Sequence, residues 1–303
     1  MLAGAGIAGR GLWRGLAAFG AMAAGMRAAR RRMVGLRPRV VVGFGGYPSV
    51  APVLAARLMA RRPRILLHEQ NAVLGRANRV LALLADRLAV SFAGTLHAPR
   101  TAVVTGNPVR AEVQGVAYAP SGEGPFSILI FGGSLGARVM ADLVPEALAG
   151  LAERTRLRVV QQCRAEDLKR VAEVYAKAGI RAELASFFAD VPERLAASHL
   201  VIARAGASSI AELAVSGRPA ILVPLPSAID DHQRANAGAL AAAGAAIVLD
   251  QVGLTAARMG AAIASLRADP ARLAAMAEAA ARFGRVDAAE RLADLVEALG
   301  GGA

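Results

Sequence analysis

Apolar residues in this chain fall in short continuous runs, and most runs end in glycine or polar residues. In the first part of the chain the runs lie at residues 39–46 (RVVVGFGG), 64–71 (RILLHEQN), 87–91 (RLAVS) and 102–108 (AVVTGNP). Continuous runs of this length are typical of strands in a parallel sheet that is covered on both faces. The segment after the first run predicts a helix from about residue 48 to residue 60.

The pattern restarts after residues 119–125 (APSGEGP), a polar and turn-rich stretch that we interpret as a linker. The later runs lie at residues 126–138, 156–163, 182–188, 199–209, 219–226 and 244–250, with helices predicted between them. Strand–glycine–helix units in succession predict an α/β fold with parallel sheets. We therefore expect two doubly wound, Rossmann-like domains with a cleft between them.

The first 34 residues have a different pattern. Their longest stretch without charge, residues 15–26, is too short to span a bilayer. At helical spacing an apolar stripe forms beside Trp13, and its members are Leu12, Leu16, Phe19, Ala23 and Met26. Two interpretations stay open: a helix that lies on an anionic membrane surface, or a helix whose stripe packs on its own domain.

Positive charge is concentrated at the start of the chain. The formal net charge is +13, and residues 1–68 contain twelve arginines and no acidic residue. Such a block is typical of a surface that faces phospholipid, nucleic acid or a phosphorylated substrate, and the alternative is a solvated face in an arginine-rich protein. Aromatic residues make up only 4% of the chain and no recognition motif is present, so we expect no nucleic-acid partner.

Cysteine and histidine are scarce. Cys163 is the single cysteine, which excludes an internal disulfide and fits a reducing compartment. The four histidines are scattered without metal-ligand spacing, so we expect no metal site.

Two glycine-containing segments in the second part could bind phosphate. Glycines after a strand let backbone N–H groups approach an anion at the following helix N-terminus. In residues 132–138 (GGSLGAR), Ser134 adds a hydroxyl donor, and in residues 206–209 the first helical turn carries Ala207, Ser208 and Ser209. Taken alone, each glycine segment is equally compatible with a tight turn.

Two further features suggest a sugar nucleotide. Glu212, one turn into the helix, could accept hydrogen bonds from both hydroxyls of a ribose. On spacing alone, a carboxylate that favours the positive end of the helix dipole explains it better. Gln233 and Asn236 lie three positions apart on one predicted helix, and neutral amides suit sugar hydroxyls. In combination these residues suggest a nucleoside diphosphate ligand.

Together with their neighbours in the chain, these residues resemble motifs of a known family, the MurG family of bacterial lipid II-forming N-acetylglucosaminyltransferases. Six motifs occur in the family's order: GFGGYPS at 43–49, HEQN at 68–71, GNPVR at 106–110, GGSLGA at 132–137, ARAGASSIAEL at 203–213 and DDHQRANA at 230–237. The resemblance covers roughly residues 37–290. It implies a two-domain GT-B glycosyltransferase that moves GlcNAc from UDP-GlcNAc to the C4 hydroxyl of the MurNAc of lipid I, with inversion. It also implies a peripheral enzyme on the cytoplasmic face of the bacterial inner membrane, with an anionic membrane surface as a partner and without a cofactor or metal.

The resemblance also implies roles for individual residues. Glu212 would bind the ribose, and the backbone at Phe188, with Phe187 beside it, would bind uracil. The remaining donor contacts would be Ser134 at the diphosphate, Ala207, Ser208, Ser209, Ile210 and Ala211 at the phosphates and sugar, Gln233 and Asn236 at GlcNAc, and Asn71 and Arg110 from the N-terminal half. The implied domains are an acceptor and membrane-facing domain at 1–121, a donor-binding domain at 125–285 and a C-terminal helix at 286–303 that packs back on the first domain.

One departure from the family concerns the start of the chain. Members begin with a strand and a glycine-rich loop of the type G-G-T-G-G-H, which carries the histidine implied as general base. Residues 1–38 resemble a later, membrane-facing part of the domain, so we expect the first strands and this loop to be missing. The catalytic base is therefore unassigned, and His68 and Glu69 are interpreted as residues that hold a loop in place.

Two other hypotheses stay open from the sequence. One is a different GT-B enzyme that uses UDP-sugars, either a lipid glycosyltransferase or a UDP-GlcNAc epimerase. The other is a chain that binds the donor or the membrane without turnover, which the missing loop would favour. The motifs at 43–49 and 68–71 favour the lipid II-forming transferase over the first of these.

Overall fold

The computed structural model describes residues 12–113, 117–119 and 124–301, apart from the side chains of residues 12–19 and 133–137. The described chain divides into two compact units. One extends to Asn107 and includes the residues from Asp287 onward, and the other is Pro108–Val286.

The helices, in chain order, are α1 Leu12–Leu36, α2 Gly46–Arg57, α3 Arg76–Leu81, α4 Gly133–Ala149, α5 Leu168–Lys177, α6 Val191–Ala196, α7 Ala207–Val215, α8 His232–Ala242, α9 Ala256–Arg267, α10 Pro270–Phe283 and α11 Ala288–Gly300. The strands are β1 Val40–Gly43, β2 Arg64–Glu69, β3 Arg87–Val90, β4 Val103–Val104, β5 Phe126–Phe131, β6 Leu157–Gln162, β7 Arg181–Ala185, β8 Leu200–Ala203, β9 Ala220–Leu222 and β10 Ala246–Val248.

The first unit contains a parallel sheet in the order β1-β2-β3-β4. Because side chains alternate across a strand, β2 serves both faces of this sheet. Ile65 and Leu67 lie in the core formed with α1 and α2, whereas Leu66 faces the other way and packs with Leu292 of α11. The sheet is therefore covered on both faces, as the continuous apolar runs predicted.

Helix α1 packs on the first unit through its second half. Ala29 and Met33 are buried in the core with α2, while Arg27 and Arg30–Arg32 are exposed. The side chains of Leu12, Trp13, Leu16 and Phe19 lie outside the described residues. Within the described chain, no helix combines the length and the apolar character needed to cross a bilayer.

The second unit contains a parallel sheet in the order β10-β9-β8-β5-β6-β7. After β5, the next strands β6 and β7 are added on one side of the sheet, and after β8, the strands β9 and β10 are added on the other side. The order in which strands are added therefore reverses between β5 and β8. β8 and β9 are buried along their whole length, as their sequences predicted. The main core of this unit lies on one face of the sheet against α4, α5, α9 and α10.

The outer strands depart from the prediction of strands buried on both faces. β7 exposes Arg181, Ala182 and Glu183, and β4 contains only Val103 and Val104 instead of most of residues 102–108. Both strands lie at a sheet edge, where a strand has one neighbour and less cover.

The predicted helix at 48–60 also begins earlier, because Gly45 and Gly46 adopt positive φ angles of 77° and 69° that turn the chain directly into α2.

Candidate functional site

The site begins where β5 and β8 lie side by side. Phe131 at the end of β5 pairs with Ala203 at the end of β8, and each strand leads through a glycine into a helix. Ligands of doubly wound sheets bind beyond the carboxyl ends of the strands at such a reversal point. The N-termini of α4 and α7 are both at this edge, and their N-cap residues, Gly132 and Gly206, have no side chain to bond the first-turn N–H groups. These donors and the helix dipoles favour an anion.

The two glycine segments differ in what the structure describes. Helix α4 begins at Gly133, the second residue of the GGSLGAR segment, but the side chain of Ser134 lies outside the described residues. In α7, Ala207, Ser209 and Ala211 are half-buried and Ser208 is exposed.

Ile210 contributes to the core and not to the surface of this site. Its side chain is buried, and its N–H donates to the carbonyl of Gly206 over 2.9 Å within the helix. The role that the resemblance implies for Ile210 remains a prediction.

Glu212 is paired with Arg110. Arg110 Nη2 donates to Glu212 Oε1 over 3.1 Å, and the carboxylate side chain is the more buried partner. Arg110 precedes a short 3-10 turn, Ala111–Val113, and belongs to the second compact unit. The resemblance placed Arg110 on the N-terminal half, so the sequence predicted both residues for the site but not that they contact each other within one unit.

Gln233 and Asn236 tie α8 to two strand ends. Gln233 Oε1 accepts a hydrogen bond from the N–H of Leu225 over 3.0 Å, just beyond β9. Asn236 is fully buried, and its Nδ2 donates to the carbonyl of Ala205 over 3.0 Å. Both amides therefore brace the loops of this edge, and their predicted contacts with GlcNAc remain predictions.

Phe187 and Phe188 follow β7 and have opposite environments. Phe188 is buried, with the guanidinium of Arg194 4.0 Å from the centre of its ring. Phe187 is 73% exposed. Because the side chain of Phe188 is engaged in packing, a contact from this position to a ligand would come from its backbone.

In the first unit, Glu69 holds the loop that follows β2. It is buried and accepts four hydrogen bonds: from the N–H and side chain of Asn71, each at 3.0 Å, and from the N–H of Gly75 and Nδ2 of Asn78, each at 2.9 Å. The predicted site residue Asn71 is thus fixed at the start of this loop. The interpretation of Glu69 as a residue that holds a loop in place is confirmed.

His68 is also structural. It is fully buried, and its Nε2 lies 2.9 Å from the carbonyl of Gly106. Burial lowers the pKa of His68, so the ring is neutral at neutral pH and Nε2 donates. Among the residues that the structure describes, no three His, Cys, Asp or Glu side chains are grouped closely enough to hold a metal ion.

Sequence reasoning missed one buried residue of this edge, Arg204. It follows directly on β8 and is only 5% exposed. A basic residue within an apolar strand end, VIARAG, is the signal that could have found it.

Comparison with known proteins gives two domain matches. Residues 127–292 match the glycosyltransferase family 28 C-terminal domain, and residues 2–90 match the glycosyltransferase family 28 N-terminal domain.

Two curated bacterial relatives carry the same name, UDP-N-acetylglucosamine–N-acetylmuramyl-(pentapeptide) pyrophosphoryl-undecaprenol N-acetylglucosamine transferase. The relative from Granulibacter bethesdensis is 55% identical over 98% of this chain and 79% of its own length. The relative from Acidiphilium cryptum is 53% identical over 98% of this chain and 82% of its own length.

Solved structures agree in fold. The crystal structure of Acinetobacter baumannii MurG is 33% identical with a TM-score of 0.78, over 91% of this chain and 80% of that one. A putative UDP-N-acetylglucosamine 2-epimerase from Listeria monocytogenes has a TM-score of 0.68 at 17% identity, over 92% of this chain and 79% of that one. The second likeness concerns the fold alone.

Proposed function

The chain belongs to glycosyltransferase family 28 and, within it, to the UDP-N-acetylglucosamine–N-acetylmuramyl-(pentapeptide) pyrophosphoryl-undecaprenol N-acetylglucosamine transferases, and we propose the reaction, site and surface that follow from this membership. The reaction moves GlcNAc from UDP-GlcNAc to the C4 hydroxyl of the MurNAc of lipid I. Its product is lipid II, a precursor of peptidoglycan. The two α/β units with parallel sheets agree with the predicted GT-B fold.

The observation that supports a nucleoside diphosphate donor is the arrangement at the ends of β5 and β8. Helices α4 and α7 follow two adjacent strands, and neither helix has a side chain that caps its N-terminus. Glu212 lies one turn into α7. The helix N-termini would bind the diphosphate, and the carboxylate would accept hydrogen bonds from the ribose hydroxyls. We therefore propose residues 125–285 as the donor-binding domain, with Ser134, Phe188, Gln233, Asn236 and residues 207–212 in the contacts stated above.

The same donors serve the chemical step. When the acceptor hydroxyl attacks the anomeric carbon, negative charge develops on the departing UDP. Backbone N–H groups at fixed helix N-termini stabilise that charge without reorganisation, which is the usual source of a large catalytic effect. His68 and Glu69 are engaged in structural hydrogen bonds, and neither is proposed as the general base.

The first unit is proposed as the acceptor and membrane-facing domain; it extends to Asn107, short of the expected boundary at residue 121, and includes the residues from Asp287 onward, with α11 packed on its sheet. An apolar, basic surface supports this proposal. Helices α2 and α3 are in contact, and Leu58, which follows α2, and Val80 and Leu83, at the end of α3 and after it, are exposed. Arg61 and Arg76, close to them in the chain, are exposed as well. Apolar side chains among arginines are suited to the interface of a membrane with anionic lipids. The enzyme would then bind peripherally at the cytoplasmic face of the inner membrane.

A UDP-GlcNAc epimerase is the alternative that shares this fold. The putative epimerase of similar structure shares 17% sequence identity with this chain, whereas the named transferases are more than 50% identical to it over nearly its whole length. The transferase is therefore favoured.

The donor assignment is tested by calorimetry. We expect UDP-GlcNAc to bind the chain with one site, and Glu212→Ala to weaken binding about tenfold to a hundredfold, because hydrogen bonds to a charged group contribute about 1.5–3 kcal/mol. Glu278→Ala, on the exposed surface of α10, is the matched control and should bind as the unchanged chain does. Equal binding by all three proteins would overturn the assignment of Glu212.

A further inference from the structure

Arg204 is a buried cation with unusual partners. In the part of the chain that the structure describes, its hydrogen bonds go to carbonyl oxygens only, and its Nε has no partner. Burial lowers the pKa of Arg204, but a guanidinium remains charged at neutral pH. A buried guanidinium without a carboxylate partner is costly, and an apolar residue would pack there at lower cost.

The hydrogen bonds of Arg204 join two loops of the candidate site. Nη1 donates to the carbonyls of Val223 and Pro224 over 2.9 and 3.2 Å, beyond the end of β9. Arg204 itself begins the loop between β8 and α7. The loop after β8 is thereby held at a fixed separation from the loop after β9.

The amides of α8 complete this network. Asn236 binds the carbonyl of Ala205, the residue after Arg204, and Gln233 binds the N–H of Leu225, the residue after Pro224. The loop after β9 is therefore bonded both to Arg204 and to α8, and the loop after β8, which contains Arg204, is bonded to α8 through Asn236. Loss of the Arg204 bonds would remove the direct link between the two loops and leave only the link through α8 among the described bonds, so their separation would be less tightly fixed.

The charge of Arg204 acts at the same edge. Gly206, the N-cap of α7, lies two residues further along the chain. The positive end of the α7 dipole and the uncompensated guanidinium therefore add in one region. Such a region favours an anionic ligand. At the carboxyl ends of these strands, that ligand would be the diphosphate proposed to bind at the N-termini of α4 and α7.

From these observations, and resting on the proposed function, we infer that Arg204 is a positioning residue for the diphosphate of the donor. It fixes the two loops through its carbonyl bonds and raises the affinity for the diphosphate through its charge.

Arg218 offers a matched control. It is 1% exposed, and burial lowers its pKa as it does that of Arg204. Arg218 precedes β9 and so lies at the amino ends of the strands, opposite the carboxyl ends where the site is. There its guanidinium lies 5.5 Å from the ring centre of Tyr118. Its removal should cost stability as that of Arg204 does, but it lies away from the helix N-termini of α4 and α7.

The experiment measures binding of UDP and of uridine by calorimetry to the full chain and to four variants: Arg204→Met, Arg204→Gln, Arg204→Lys and Arg218→Met. Uridine lacks the diphosphate, so the ratio of the two affinities isolates the part that depends on phosphate. We expect the neutral variants at Arg204 to weaken UDP about tenfold more than uridine, since a charged partner contributes at this scale. Arg204→Lys should restore the ratio, and Arg218→Met should leave it unchanged.

Thermal unfolding of each variant shows that it is folded. If Arg204→Met does not fold, Arg204→Gln carries the same test because it keeps amide donors without charge. UDP and uridine weakened equally at Arg204, or a UDP-specific loss in Arg218→Met, would overturn the inference alone. A folded, unchanged chain that binds neither UDP nor uridine would instead contradict the proposed function, and the inference would fall with it.

Discussion

Arg110 Nη2 lies 3.1 Å from Glu212 Oε1, although 102 positions separate the two residues in the chain. The pair joins the stretch before the Ala111–Val113 turn to helix α7. Its side chains are 53% and 17% exposed, so solvent screens the attraction and the pair contributes only about 0.2–1 kcal/mol. A contact of this strength orients Glu212 and leaves its carboxylate available for the proposed contact with a ribose.

A double-mutant cycle tests that weakness. Arg110→Ala, Glu212→Ala and the double variant should show a coupling of less than about 1 kcal/mol in the free energy of unfolding. Urea denaturation followed by circular dichroism gives the three values. A coupling of several kcal/mol would mean that the pair is a structural ion pair, and Glu212 would then not be free to bind a ligand.

Gly284 makes a close contact that supports α7. A Cβ added there would lie 2.8–2.9 Å from the backbone of Ala214 and Val215, in the same helix as Glu212. We expect Gly284→Ala to destabilise the fold by about 1–3 kcal/mol, as overpacking does. Gly238→Ala in α8, where the added Cβ meets nothing within 4 Å, should stabilise it by about 0.5–1 kcal/mol. Equal unfolding free energies in the two variants would show that this contact is looser than the structure indicates.

Two histidines, the buried His68 and the half-buried His199, predict a pH dependence of stability. Burial lowers the pKa of both His68 and His199 below the ordinary 6.5, and Arg218 lowers that of His199 further. Nδ1 of His199 also accepts the N–H of Ser127 over 2.8 Å, which requires an unprotonated nitrogen. The unfolded chain therefore binds protons more readily, so stability is complete above pH 6.5 and falls as the pH drops below it toward the folded pKa values.

The measurement is the free energy of unfolding between pH 7 and pH 5. It should decrease over this range in the unchanged chain and decrease less in His199→Gln. Asp86, whose pKa is lowered with the N–H of Ile65 and two arginines as partners, acts only at more acidic pH and does not disturb this window. Stability that rises from pH 7 to pH 5 would contradict the account of both histidines.

Vesicle binding tests the proposed membrane surface of the first unit. Leu58→Glu combined with Leu83→Glu should reduce the fraction of protein that floats with vesicles containing anionic phospholipid, because it removes apolar burial and adds repulsion. Val252→Glu is the control, since Val252 is exposed on the second unit. Equal flotation of the two variants would place the membrane contact elsewhere.

Much of the fold was predictable because its signal is local. Continuous apolar runs predicted β8 and β9 as buried strands, and Gly206 after β8 predicted the start of α7. The extent of edge strands such as β7 was not predictable, because a strand's cover depends on its place in the sheet and not on its own residues.

The site was predictable by residue type more than by contact. Glu212 and Arg110 were both expected, yet their pairing depends on how distant segments meet. Asn236 was expected to face a ligand, but spacing on a helix does not show that its amide is buried against Ala205. Arg204 was missed because an arginine at the end of a strand resembles a surface residue until its burial is known.

The most direct test of the account is transfer of radiolabelled GlcNAc from UDP-GlcNAc to a short-chain lipid I analogue. The unchanged chain and Glu212→Ala are compared, with donor binding measured by calorimetry on the same samples. The account predicts lipid II formation by the unchanged chain and a loss of about tenfold to a hundredfold in kcat/KM when Glu212 is replaced. A folded chain that binds UDP-GlcNAc but forms no lipid II would contradict the proposed transfer.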